Sequence, residues 1–190
     1  MMQKQALEGG FTNAPVEAAR GFRAVLDALS RPGRIVEVAG ATPPAPLSPA
    51  AGALVLVLCD QTTPLHLAGA HDCPALRDWI TFHTGAPLVD APRAAFALGR
   101  WPDLMPLERF ACGLPDYPDR SATLIVELDE LAPQGARLSG PGIRDSARLS
   151  LPEVAAFRAN HALFPLGLDF FFAAGNRLAG LPRSTIVEEG

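Results

Sequence analysis

The sequence predicts an α/β protein, with helices packed on the faces of a mixed β-sheet. Three observations carry this. Segments with apolar residues at helical spacing interleave with short alternating or wholly apolar segments along the 190 residues. The run Phe164–Phe172 is apolar on both faces, with Leu166, Leu168, Phe170 and Phe172 on one side and Gly167, Asp169 and Phe171 on the other. A strand of that kind is covered on both sides, as central strands are. Ala122–Leu128, rich in β-branched residues, reads as a further strand.

Taken in order, Pro15–Ser30 reads as an amphipathic helix capped by Thr12 or Asn13. Its inward stripe is Val16, Ala19, Phe22, Val25, Leu26 and Leu29. Pro32 and Gly33 end it, and Arg34–Val38 follows as a strand. The proline-rich Gly40–Pro49 is a surface connector. Pro49–Cys59 is apolar all round, and Ser48 as cap with Pro49 at the first helical position favours a buried helix. Pro64–Ala68 reads as a strand. Cys73–Thr84 reads as a helix that turns Leu76, Trp79 and Ile80 inward and stops at Gly85. Ala94–Leu98 is predicted as a strand, Leu104–Phe110 as a short helix, and Leu138–Ile143 as a glycine turn. Pro152–Ala162 is the last helix. Gly175–Asn176 turns the chain into a return strand, Arg177–Leu181, and a terminal tail. One domain over residues 1–190 is expected, with 1–14 a flexible N-terminus.

Composition excludes several classes of activity. Net charge is −4 with no basic block, which argues against nucleic acid or an acidic membrane as the main partner. No apolar run is long enough to span a bilayer, and the first ten residues lack the apolar centre of a signal peptide, so a cytoplasmic protein is expected. Cys59, Cys73 and Cys112 show no paired spacing, which speaks against a disulfide framework. Lys4 is the one lysine, and arginines make up the rest of the 16 basic residues. A Schiff-base enzyme needs a core lysine and a P-loop needs one after its glycines, so neither chemistry is expected.

Candidate functional residues are few. His83, beside Thr84 and Gly85, reads either as a general acid–base or phosphate contact, or as a cation at a helix C-terminus. Asp60 with Thr62 and Thr63 can hold a hydroxyl or a metal-bound water, though the same residues suit a turn. Asp169 is a carboxylate in an apolar run and needs a partner. Arg183 is placed either to bind an anion bidentately or to pair with Asp169. Ser139–Gly142 resembles an anion-binding nest, but Pro141 lacks an N–H and a structural turn is preferred. His66, His71 and Cys73 fit no standard zinc spacing, so no metal is assigned.

Seven segments stand in a fixed order: Leu29–Gly33, Asp60–Leu65, Phe82–Leu88, Ser121–Leu124, Leu138–Ile143, Phe164–Asp169 and Leu181–Thr185. Together they resemble the H subunit family of bacterial carbon–phosphorus lyase (PhnH), over nearly the whole chain. The resemblance implies a subunit of the core complex of phosphonate catabolism, partnered by the G, I and J subunits. It implies support for ATP-dependent formation of alpha-D-ribose 1-methylphosphonate 5-triphosphate. It also implies a fold similar to the large domain of pyridoxal-phosphate (PLP) transferases, without the cofactor. An isolated homodimer is implied as well. The Arg100–Met105 segment is awkward to leave fully wet, so that either an interface or a loop of its own subunit covers Trp101 and Met105. The resemblance supplies no catalytic residue set. The competing reading is a self-sufficient enzyme acting on a phosphorylated small molecule, with a site near Asp60, His83 and Arg183.

Overall fold

The computed structural model describes residues 7–190; Lys4 lies outside them. Its organising element is a six-stranded mixed sheet in the order β1-β10-β9-β6-β3-β2. The strands are β1 (Val36–Glu37), β2 (Leu65–Leu67), β3 (Phe96–Arg100), β6 (Thr123–Glu127), β9 (Asp169–Ala174) and β10 (Arg177–Leu181). β2, β3, β6 and β9 run parallel, while β10 and β1 are antiparallel additions at one edge. A hairpin of β4 (Cys112–Leu114) and β5 (Tyr117–Ser121) stands apart. So does a three-stranded sheet of β7 (Ala136–Ser139), β8 (Ala147–Leu149) and β11 (Ile186–Glu188). Mixed α/β architecture is therefore as expected.

The sheet separates two apolar cores. On one face α1 (Ala14–Ser30), α2 (Pro49–Leu58) and α3 (Pro74–Thr84) cover Leu98, Ile125, Phe171 and Ala173. On the other, α4 (Trp101–Leu104), α5 (Val154–His161) and the small sheet cover Leu124, Val126, Phe170 and Phe172. Strand parity produces this division: alternate residues of β6 and β9 point to opposite faces, and both faces are dry.

Local chemistry explains most boundaries. The Ser48 side chain accepts a hydrogen bond from Ala51 N–H at the start of α2, and Pro49 occupies the first helical position. Gly85 ends α3 at φ +68°, left-handed backbone that suits glycine.

Four expectations are corrected. The strand predicted from Phe164 begins at Asp169. Before it, Gly167 sits at φ +114° and donates its N–H to Cys112 O, while Phe164 is exposed. The Asn160 amide then brackets Leu168, accepting from its N–H at 2.8 Å and donating to its C=O at 2.9 Å. The helix predicted over Leu104–Phe110 is split into α4 and a 3₁₀ turn, Leu107–Arg109. Pro106 lacks a donor and holds Met105 in extended backbone. The terminal tail contains β11, and the 112–121 hairpin and β8 were not anticipated; these are strands of three to five residues.

The fourth correction is the largest. The buried face of α1 is Gly21, Val25 and Ala28, whereas Val16, Phe22 and Leu26 point to solvent. Helix and strand approach so closely that a Cβ on Gly180 of β10 would lie 2.8 Å from Leu29 Cα and 2.9 Å from Ala28 O. Where the two backbones meet, at Ala28 and Leu29, no larger side chain fits on Gly180; of the predicted stripe Val25 is buried and Leu29 packs on the core, while Val16, Phe22 and Leu26 face outward. Ahead of α1, Thr42 N–H donates to Gly9 O at 2.8 Å, and Phe11 packs on the core.

Candidate functional site

The seven segments on which the resemblance rests gather into two knots. The first is built around Arg183. Its backbone N–H and Nε donate to Asp169 Oδ1 at 2.8 and 3.1 Å, and its Nη2 reaches Asp169 Oδ2 at 2.5 Å. Nη1 donates to Pro118 O at 2.7 Å and Nη2 also to Ser121 Oγ. His161 Nδ1 lies 2.9 Å from Arg183 O. Asp169 opens central strand β9, and Ser121 leads into its neighbour β6, so the guanidinium ties the C-terminal segment to the start of the parallel strands. Of the two roles foreseen for Arg183, pairing with Asp169 is the one observed. The guanidinium is bonded on every nitrogen, and both side chains are mostly covered.

The glycine turn joins this region from the other side. A Cβ on Gly142 would lie 2.0 Å from Ser30 O, and one on Gly140 would lie 3.3 Å from Ser184 O. Leu29–Gly33, Leu138–Ile143 and Leu181–Thr185 are thus in direct contact. The turn closes on itself through Ile143 N–H to Gly140 O at 3.1 Å.

The second knot joins Asp60–Leu65 to Phe82–Leu88. Leu65 N–H donates to Pro87 O, and Val89 N–H to Leu65 O. Asp60 forms an exposed turn, accepting from Thr62 N–H and Thr62 Oγ1 at 2.7 Å each, and these bonds hold its carboxyl below its ordinary value. His83 Nε2 lies 3.3 Å from Glu8 O, and its ring packs against Trp79 at 4.9 Å between centroids. The two turns meet where a Cβ on Gly85 would lie 3.7 Å from Gln61 Cβ. No hydrogen bond or ion pair among the described residues joins Asp60 to His83, or either of them to Arg183.

His66, His71 and Cys73 do not converge on a common centre. His66 Nδ1 faces Val89 O at 3.0 Å and its Nε2 accepts from Arg109 at 2.7 Å. His71 is buried, with both ring nitrogens unpartnered. No group of three His, Cys, Asp or Glu residues suited to a metal occurs among the described residues. Cys59 is unsuited to nucleophilic work, since burial pushes its thiol up to about 12.

A third group, not foreseen from the sequence, occupies the carboxyl ends of the parallel strands, where open α/β sheets generally bind ligands. Glu127, at the end of β6, is buried and accepts Ser48 N–H at 2.7 Å; burial raises its carboxyl above the ordinary value. Arg100, at the end of β3, pairs with Asp129. His71 follows β2, and burial lowers its imidazole despite the opposing charge of Asp103. Nothing in the sequence around these residues marks them, because four separate segments bring them together.

Comparison with known proteins follows this geometry. The sequence matches the family described as Bacterial phosphonate metabolism protein (PhnH) over residues 9–188. It is 39% identical to the alpha-D-ribose 1-methylphosphonate 5-triphosphate synthase subunit PhnH of Rhizobium meliloti (strain 1021), covering 98% of each chain. It is 29% identical to the putative C-P lyase subunit protein HtxG of Stutzerimonas stutzeri, covering 95% of each. With matched residues running from the N-terminal anchor at Gly9 to β11, this chain belongs to the PhnH family of bacterial phosphonate metabolism proteins.

Proposed function

We propose that this chain is a subunit of the assembly that forms alpha-D-ribose 1-methylphosphonate 5-triphosphate in phosphonate catabolism, acting as an assembly or co-catalytic subunit in the cytoplasm. The observation that carries this reading is the end-to-end relationship to the Rhizobium subunit, at 39% identity. Its partners in this reading are the carbon–phosphorus lyase G, I and J subunits, and the isolated chain is a homodimer. The likeness to the large domain of PLP transferases belongs to the same proposal. So does the loss of that cofactor, because a Schiff base needs an amine and the chain's one lysine is Lys4.

The side-chain arrangement supports a co-catalytic role. Triphosphate chemistry requires cations or donors aimed at phosphoryl oxygens. The guanidinium of Arg183 is engaged within its own knot, Arg100 is paired with Asp129, and Arg109 donates to His66. Other subunits would then supply the groups that hold and activate the nucleotide. Co-expression with and without the G, I and J subunits tests the reading. Product should form only when this chain is present with its partners. Turnover by this chain alone, or failure to co-purify with any of them, would overturn it.

A further inference from the structure

We propose that the groove between α5 and the Met105–Glu108 segment docks a basic amphipathic helix of one of the partner subunits. This rests on the subunit role proposed above and gives it a contact surface.

The Arg100–Met105 segment, whose apolar residues need cover, is only partly covered by its own chain. Trp101 is 7% exposed, packs against Phe157 at 4.8 Å between ring centroids, and donates its indole N–H to Glu153 Oε2 at 3.0 Å. Met105 is half-buried and lines an open groove of about 490 Å³, together with Leu107, Cys112 and the buried Leu168. The far wall is the outer side of α5, where Ala155 and Ala159 are exposed four positions apart and so share one face. Leu163, four positions further, also lines the groove and is 50% exposed, and Phe164 follows it at 57%. The apolar surface therefore continues past the groove, further than a small molecule would reach.

Charge selects the occupant. Glu108 and Glu153 are the charged residues that line the groove, and no basic residue lines it. Both are exposed, and Glu108 has no hydrogen bond or ion pair among the described residues. The Trp101 indole engages one oxygen of Glu153 and leaves Oε1 unpartnered among those residues. Two such carboxylates repel a nucleotide or a phosphonate and attract a cation carried on an apolar body. A helix with large apolar residues at i and i+4, and a Lys or Arg on the same side, presents that combination. The small side chains of Ala155 and Ala159 let it lie close along α5, at the short end of the usual 8–10 Å between packed helices.

A contact of this size anchors a partner without making up the whole interface, so its loss should weaken the assembly and not abolish it. Binding of the purified chain to the co-expressed G, I and J subunits, measured by biolayer interferometry, tests the proposal. Ala159→Arg places bulk and a like charge in the groove and should raise the dissociation constant at least about tenfold. Glu108→Lys should also weaken binding, and Glu108→Gln should make it less sensitive to salt than in wild type. Both positions are exposed, so thermal melting should show that each variant keeps its fold. Independently, Ala159→Cys should react with a maleimide in the free chain and be protected in the assembly, as read by peptide mass mapping. A wild-type chain that binds none of the three subunits overturns the subunit role and the groove together. Undiminished binding by Ala159→Arg and Glu108→Lys, or equal labelling of Ala159→Cys in the free and assembled chain, overturns the groove alone.

Discussion

Arg183 and Asp169 form a two-pronged pair, with Nε and Nη2 on separate carboxylate oxygens and the Arg183 backbone N–H on one of them as well. The pair fastens the chain beyond β10 to the first residue of a central strand. Arg183→Ala would strand a largely covered carboxylate. The expected loss is about 2–3 kcal/mol in denaturant unfolding, somewhat under that of a fully buried pair because the Asp169 side chain keeps 23% of its exposure. Arg183→Lys should recover little, since an ammonium cannot reproduce the planar fork. Wild-type stability in Arg183→Ala, with activity of the complex lost, would instead assign the residue to chemistry.

Glu127 should make stability depend on pH in a definite direction. Burial raises its carboxyl in the folded chain, although the Ser48 hydrogen bond opposes that. The folded state therefore binds the proton more tightly than the unfolded state. Stability falls as pH rises from the ordinary value of 4.5 through the raised one, and it stays lower at neutral pH. Glu127→Gln retains an acceptor for Ser48 N–H and removes the charge. It should melt above wild type at pH 7, with the advantage disappearing in acid.

His71 should act with the opposite sign. Burial lowers its imidazole, Asp103 raises it and Arg100 lowers it. The folded state then binds fewer protons than the unfolded chain, so stability is lost as pH falls from 6.5 toward the lowered value. Since both ring nitrogens lack partners, His71→Leu forfeits no hydrogen bond. Its melting temperature should decline less than that of wild type on acidification below pH 6.5, and an unchanged profile would remove His71 as the cause.

Gly180→Ala tests the close approach of α1 to β10. The added methyl meets backbone rather than a movable side chain. Overpacking of this kind costs about 1–3 kcal/mol, and equilibrium unfolding should show a loss in that range with the fold retained.

Much of the candidate site was legible one residue at a time. An isolated carboxylate in Phe164–Phe172 demands a partner, and Arg183 is the partner foreseen for it. Asp60-Gln61-Thr62-Thr63 reads as a turn because its bonds are local. The Glu127, Arg100 and His71 group was not legible, because its members are ordinary residues until separate strands end side by side.

The sequence by itself determined the α/β class, the buried α2 with its Ser48 cap, the stop at Gly85, and the β9–β10 hairpin. Each of these depends on residues close in the chain, where capping, backbone freedom and periodicity act. Tertiary structure decided which face of α1 turns inward. Apolar periodicity marks a stripe of six residues, of which Val25 is buried and Leu29 packs on the core, but the close approach to Gly180 of β10 turns the inward face toward Gly21 and Ala28 and leaves Val16, Phe22 and Leu26 outside. Trp101, whose cover the sequence left open between an interface and its own subunit, found it in Phe157, more than fifty positions away. Local physics sets the elements, whereas the separation between packed elements sets which side chains fit between them.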